Sequence, residues 1–107
     1  MALKITTTIG YKKPNEIGVT NESYIVIENV VRTKDGQERV SCKTFKNKAD
    51  RDISFENISI LQVPASFTFM SSNPDGDFTK TLAEYFGELY GKIASEYASL
   101  GLTTENI

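Results

Sequence analysis

The densest set of oxygen ligands in the chain is Ser71-Ser72-Asn73-Pro74-Asp75-Gly76-Asp77. With Gly76 at the sixth place of a calcium loop, Ser71, Asn73, Asp75 and Asp77 take ligand places. The twelfth place is then Leu82, where such a loop needs a bidentate Glu, and no helix is expected ahead of it. A turn that caps a following helix accounts for the same residues, because the Asp77 carboxylate can accept free backbone N–H groups. No metal ion is expected.

A second constellation is cationic and aromatic. Lys43, Phe45, Lys46, Lys48 and Arg51 form the most basic stretch of the chain. An aromatic ring among cations can stack single-stranded bases above a phosphate-binding surface. A solvated strand edge, where Lys blocks unwanted pairing, explains the same pattern. Asp50 and Asp52 offset part of the charge, so nucleic-acid binding is the alternative reading.

Catalytic chemistry has little to work with. The 107 residues include no His, no Trp and one Cys. Ser-His-Asp, Cys-His and His-ligated metal sites are therefore excluded within one chain. Asp50, Asp52 and Glu56 would need a cleft with unequal environments to act as an acid–base pair. There is no GxGxxG, Gly-rich phosphate loop or GxSxG. Neither an enzyme, a cofactor nor a small-molecule substrate is expected. Cys42 reads as a buried structural thiol, since the adjacent Lys43 points to the other strand face. Twelve Lys+Arg against fourteen Asp+Glu give a net charge of -2. That balance argues against a dedicated duplex-binding protein.

The most informative spacing is Ala83, Gly87, Gly91 and Ser95, a row of small residues at i,i+4. An interior helical Gly costs about 1 kcal/mol relative to Ala. Small side chains also let a second backbone approach closely. The row therefore packs either on the chain's own sheet or on another subunit. Ala83, Gly87, Tyr90, Gly91 and Tyr97 are the candidates for helix-side contacts, Tyr being favoured at interfaces.

The elements that position these residues divide near residue 71. Before it, β-branched and aromatic residues alternate; after it, a period near 3.6 takes over. Residues 3–11 read as one half-buried strand, with Leu3, Ile5, Thr7, Ile9 and Tyr11 on one face. Residues 12–22 read as an exposed connection, the segment of choice for ordering by a partner. Residues 23–33 form a second strand, with Ile25, Ile27 and Val31 on one face and Tyr24, Val26 and Val30 on the other. Asp35-Gly36 marks a hairpin to a strand over 38–46. A three-residue loop with Gly36 left-handed sets Arg32 opposite Glu38 and Val30 opposite Val40. A two-residue turn would set Glu28 opposite Lys43 but Arg32 against Arg39. Cross-strand charges do not decide between them, and the three-residue loop is slightly preferred. Residues 47–52 read as a charged connection, 53–63 as strand, and 65–70 as strand with Phe67 and Phe69 on one face. An amphipathic helix over 78–100 follows, capped by Asp77 and stopped by Gly101, with residues 101–107 as a loose tail.

The fold class is thus α+β in a single domain over 1–107: a small, mostly antiparallel sheet of about five strands, then one long C-terminal amphipathic helix. The N-terminus lacks the apolar core of a signal peptide, and no apolar run approaches the ~20 residues that span a bilayer. No membrane association is expected.

The opening Met-Ala-Leu-Lys-Ile-Thr-Thr-Thr, the hydroxyl-rich strands and the single C-terminal helix resemble small virion structural proteins of tailed bacteriophages. The resemblance is one of style over the whole chain, and no site residue carries over from it. It implies a non-enzymatic assembly protein of the virion, made in the host cytoplasm. Its partners would be copies of itself and other virion proteins.

Overall fold

The computed structural model describes residues 2–70 and 81–107. Its elements are β1 (Leu3–Ile5), β2 (Ile9–Lys13), β3 (Glu16–Thr20), β4 (Ser23–Arg32), β5 (Gln37–Phe45), α1 (Lys48–Ile53), β6 (Ile60–Leu61), β7 (Ser66–Met70), α2 (Leu82–Ser99) and β8 (Thr104–Asn106). Five strands make one sheet in the order β7-β5-β4-β1-β8, and three make a second in the order β3-β2-β6. All pairings are antiparallel.

The β4–β5 hairpin follows the expected register. Arg32 pairs with Glu38 and Val30 with Val40. The loop is Lys34-Asp35-Gly36, closed by the Thr33 N–H on the Gln37 carbonyl at 2.9 Å, with Gly36 at φ 85. One face assignment fails. A bulge between Ile27 and Asn29 leaves Glu28 as an extra residue. The inside–outside alternation skips one place there. Ile25, Ile27 and Val30 consequently share the core face, while Val31 is exposed.

Eight strands in two sheets replace the single sheet of about five expected. Residues 3–11 are two strands of different sheets. The hydroxyl-rich break between them turns aside to bond Thr103: the Thr6 N–H donates to its carbonyl at 2.9 Å, and its own N–H donates to the Thr7 hydroxyl at 2.9 Å. The expected connection over 12–22 is instead a hairpin, β2–β3, turning at Pro14-Asn15. The loose tail is an edge strand, since β8 pairs with β1 from Leu3↔Asn106 to Ile5↔Thr104. Of the strand read over 53–63, only Ile60–Leu61 pairs. The charged connection before it is α1, whose first turn is capped by the Asn47 side chain accepting the Asp50 N–H at 2.9 Å.

Helix α2 is described from Leu82; the expected start at Phe78 lies outside the described residues. Its cap among the described residues is Thr81, whose hydroxyl accepts the Glu84 N–H at 3.1 Å and donates to the Glu84 carboxylate. The hydroxyl thus caps a free N–H of the first turn and ties down the Glu84 side chain at the positive end of the helix. Asp77 and the calcium-loop residues Ser71, Asn73 and Asp75 lie outside the described residues. The C-terminus closes as expected on Gly101 at φ 81. The Gly101 N–H donates to Ala98 and the Leu102 N–H to Tyr97, each at 3.0 Å, which satisfies carbonyls the helix leaves unpaired.

The core lies between α2 and the sheets. Leu3, Ile5, Ile25 and Val40 meet Leu89, Tyr90, Ile93 and Tyr97 from the helix, and Ile9, Tyr11 and Leu61 from the small sheet. Phe67 packs edge-on against the Tyr97 ring at 5.5 Å.

Candidate assembly surface

The helix residues chosen from sequence separate into two groups. Tyr90 and Tyr97 are buried inside the chain's own core. The Ile27 N–H donates to the Tyr90 hydroxyl at 2.8 Å, and the Tyr97 hydroxyl donates to the Pro64 carbonyl at 2.6 Å. Burial pushes both phenol pKa values up. These rings fix α2 on the sheet and present no surface to a partner, which corrects their assignment as contact residues. The small-residue row does face outward. Ala83 and Gly91 are exposed and Gly87 is half-buried. A Cβ at Gly91 would meet nothing within 4 Å, so the chain's own sheet does not account for this glycine. Ala83 and Phe86 border a shallow cleft of about 300 Å³ against Val26 and Ile27 of β4.

The helix is also tied to the sheet by a buried carboxylate. Glu38 of β5 is 3% exposed, accepting the Tyr85 hydroxyl at 2.5 Å and the Lys92 ammonium at 3.0 Å, with Arg32 Nε at 3.9 Å. Burial alone would raise the Glu38 pKa. The Tyr85 and Lys92 bonds and the two cations outweigh it and hold the carboxyl below its usual value. Burial and the Glu38 bond together push the Tyr85 hydroxyl up to about 12. Every acidic, phenolic and cationic member of this cluster is engaged with another, so it serves as a clamp.

The basic strand does not present a stacking platform at Phe45, which is fully buried and packs edge-on against Phe55 at 5.6 Å. Its cations have partners. Lys43 lies 3.6 Å from Glu28 and Lys46 lies 3.3 Å from Glu16. Lys43 and Arg51 also flank the partly exposed Phe55 ring at 4.6 and 4.8 Å. Lys48 is exposed. Cys42 is half-buried, and burial pushes its thiol up to about 12. Among the described residues no three Cys, Asp or Glu side chains come together to hold a metal ion. No described helix is long and apolar enough to cross a membrane.

The surface that sequence reasoning missed is the outer face of the three-stranded sheet. Its inner face carries Ile9, Tyr11 and Leu61 into the core. Lys12 pairs with Ile17 on one side and Ile60 on the other, so these residues share the outer face. Val19 lies beside Gly10 in the same row. Ile17 is 79% exposed, Val19 71% and Ile60 71%. The available signal was the alternation Ile17-Gly18-Val19, hidden among turn-forming residues. Gly18 itself is required, since a Cβ there would stand 2.9 Å from the Tyr11 hydroxyl oxygen. The chain matches no protein-family model, no curated protein and no solved structure.

Proposed function

We propose that this chain is a non-enzymatic assembly subunit that associates with copies of itself, in the setting its sequence style implies, the virion of a tailed bacteriophage. The observation that carries the reading is the uncovered outer face of the small sheet, where Ile17, Val19 and Ile60 stand exposed around Lys12 while the other face is already core. Fully burying one such side chain contributes about 1.5–3 kcal/mol. Three on one face of a three-stranded sheet, on a domain this small, are more than scattered surface apolars. The exposed small residues on α2 support the same reading, because they leave a second flank open to close approach.

The test is the solution mass across a concentration series by sedimentation velocity, with co-purification against virion components as a second arm. Association that weakens when Ile60 is replaced by Lys supports the reading. A monomer at the highest concentration reached that also binds no virion component removes it. Salt-dependent binding of oligonucleotides would instead favour the basic strand as the working surface.

A further inference from the structure

Among the described residues the small sheet ends in a lightly defended edge. Natural edges are blunted by charge, Pro, bulges or extreme shortness. β6 is two residues long, and β8 is three with Glu105 at its middle. β7 turns Phe67 and Phe69 toward the core, with Ser66, Thr68 and Met70 exposed. β3 reads Glu-Ile-Gly-Val-Thr, regular over five residues; its one charge, Glu16, stands at the end and is ion-paired with Lys46 of the same chain, and its two large apolar side chains point out.

Its hydrogen-bonding groups also point outward at the right places. The Gly10 carbonyl accepts the Gln62 N–H at 3.1 Å, so Gly10 bonds toward β6 rather than toward its β3 neighbour Val19. The N–H and C=O of one strand residue point to the same side, and the side alternates along the strand. Val19 and Ile17 therefore direct their backbone groups away from β2, into the free edge.

A second copy of this chain fits that edge. A two-fold axis through Gly18 sets Ile17 of each copy opposite Val19 of the other, exchanging four backbone hydrogen bonds through these outward groups. Both apolar pairs fall on the already apolar outer face. Glu16 of each copy comes beside Thr20 of the other. Glu16 is already ion-paired with Lys46 of its own chain at 3.3 Å, so its carboxylate enters the contact with its charge offset. No like charges are placed opposite each other. We propose that β3 pairs antiparallel with β3 of a second copy about this axis, joining the two small sheets into one continuous six-stranded sheet. The proposal rests on the assembly reading and specifies its surface. A five-residue edge buries less than the standard interface of about 1,600 Å². The contact is accordingly weak alone and gains strength when other contacts repeat it.

The experiment pairs two double variants at these highly exposed positions. Ile17→Lys with Val19→Lys puts Lys opposite Lys at both pair positions, and Ile17→Glu with Val19→Glu puts Glu opposite Glu. Circular dichroism checks that each is folded. Association is followed by sedimentation velocity at high protein concentration and by concentration-dependent protection of the residue 17 and 19 amides from hydrogen exchange. Wild type is expected to associate with both amides protected. Each double variant alone is expected to associate about tenfold more weakly or worse, and an equal mixture to recover association. Retained association of either variant alone overturns the edge pairing and leaves the assembly reading standing on another surface. So does wild-type association with the two amides unprotected, or failure of the mixture to recover. A wild type that remains monomeric at millimolar concentration overturns both.

Discussion

Replacing Gly91 by Ala separates the two roles of the small-residue row. Gly91 lies in the interior of α2, is exposed, and, the surrounding helix backbone aside, has no heavy atom within 4 Å of the place a Cβ would occupy. The Ser95 hydroxyl donates to the Gly91 carbonyl at 3.1 Å, a backbone contact the new methyl group leaves alone. Nothing within the chain opposes the substitution. The gain is therefore the helix preference of Ala over Gly, about 1 kcal/mol, arising largely from restriction of the unfolded chain. For a domain near 100 residues that is a rise of about 4 °C in Tm. Thermal and urea denaturation of dilute protein, followed by far-ultraviolet circular dichroism, measure it. An unchanged or lowered Tm in dilute solution refutes the reasoning, because a neighbour must then close on Gly91. A raised Tm combined with weakened association at high concentration would assign the open flank of α2 to an intersubunit contact.

Four further outcomes follow from the core and the clamp. Glu38→Gln lowers stability at neutral pH by about 1.5–3 kcal/mol, the usual worth of hydrogen bonds to a charged group. Glu38 has a folded-state pKa below 4.5, so its contribution is present above that value and is lost as pH falls through the lower folded value. The variant should flatten that part of the acid limb in a pH series of urea midpoints. Tyr85 behaves oppositely. Its pKa rises from 10.0 to about 12, so its contribution is intact below pH 10 and decays as pH climbs toward 12, a loss absent in Tyr85→Phe. Tyr97→Phe keeps the buried ring but strips the Pro64 carbonyl of its donor, costing about 1–2 kcal/mol by urea denaturation. Cys42 should react with a thiol reagent at pH 8 about a hundredfold more slowly in the native protein than in urea, since burial suppresses its thiolate.

The same local logic succeeded and failed at different places for identifiable reasons. The β4–β5 hairpin was legible because Asp35-Gly36 marks a turn with a left-handed Gly, whereas cross-strand charges balanced between two registers and left only a slight preference for the one found. The core side of α2 was legible in part, as Leu89 and Ile93 fall on one side of a 3.6-residue period, while Tyr90 and Tyr97 on the same side read as contact residues. The bulge at Glu28 left no local mark, and it reversed the placement of Val30 and Val31. β1, β6 and β8 are each three residues or fewer, too short to display alternation, and exist because longer neighbours offer them unpaired backbone groups. Pro14-Asn15 and a glycine inside β3 made that hairpin look like a loop.

Composition and period by themselves determined the main hairpin, the long helix near the C-terminus, its stop at Gly101 and the exclusion of His-based chemistry. These depend on residue type and on intervals of a few residues. The tertiary structure decided which side of each element is covered. It drew Tyr90, Tyr97 and Phe45 inside, set Gly91 in the open, and left Ile17 and Val19 on an edge that no described strand covers. Burial is a property of what packs against a residue from far along the chain, and no local interval carries that information.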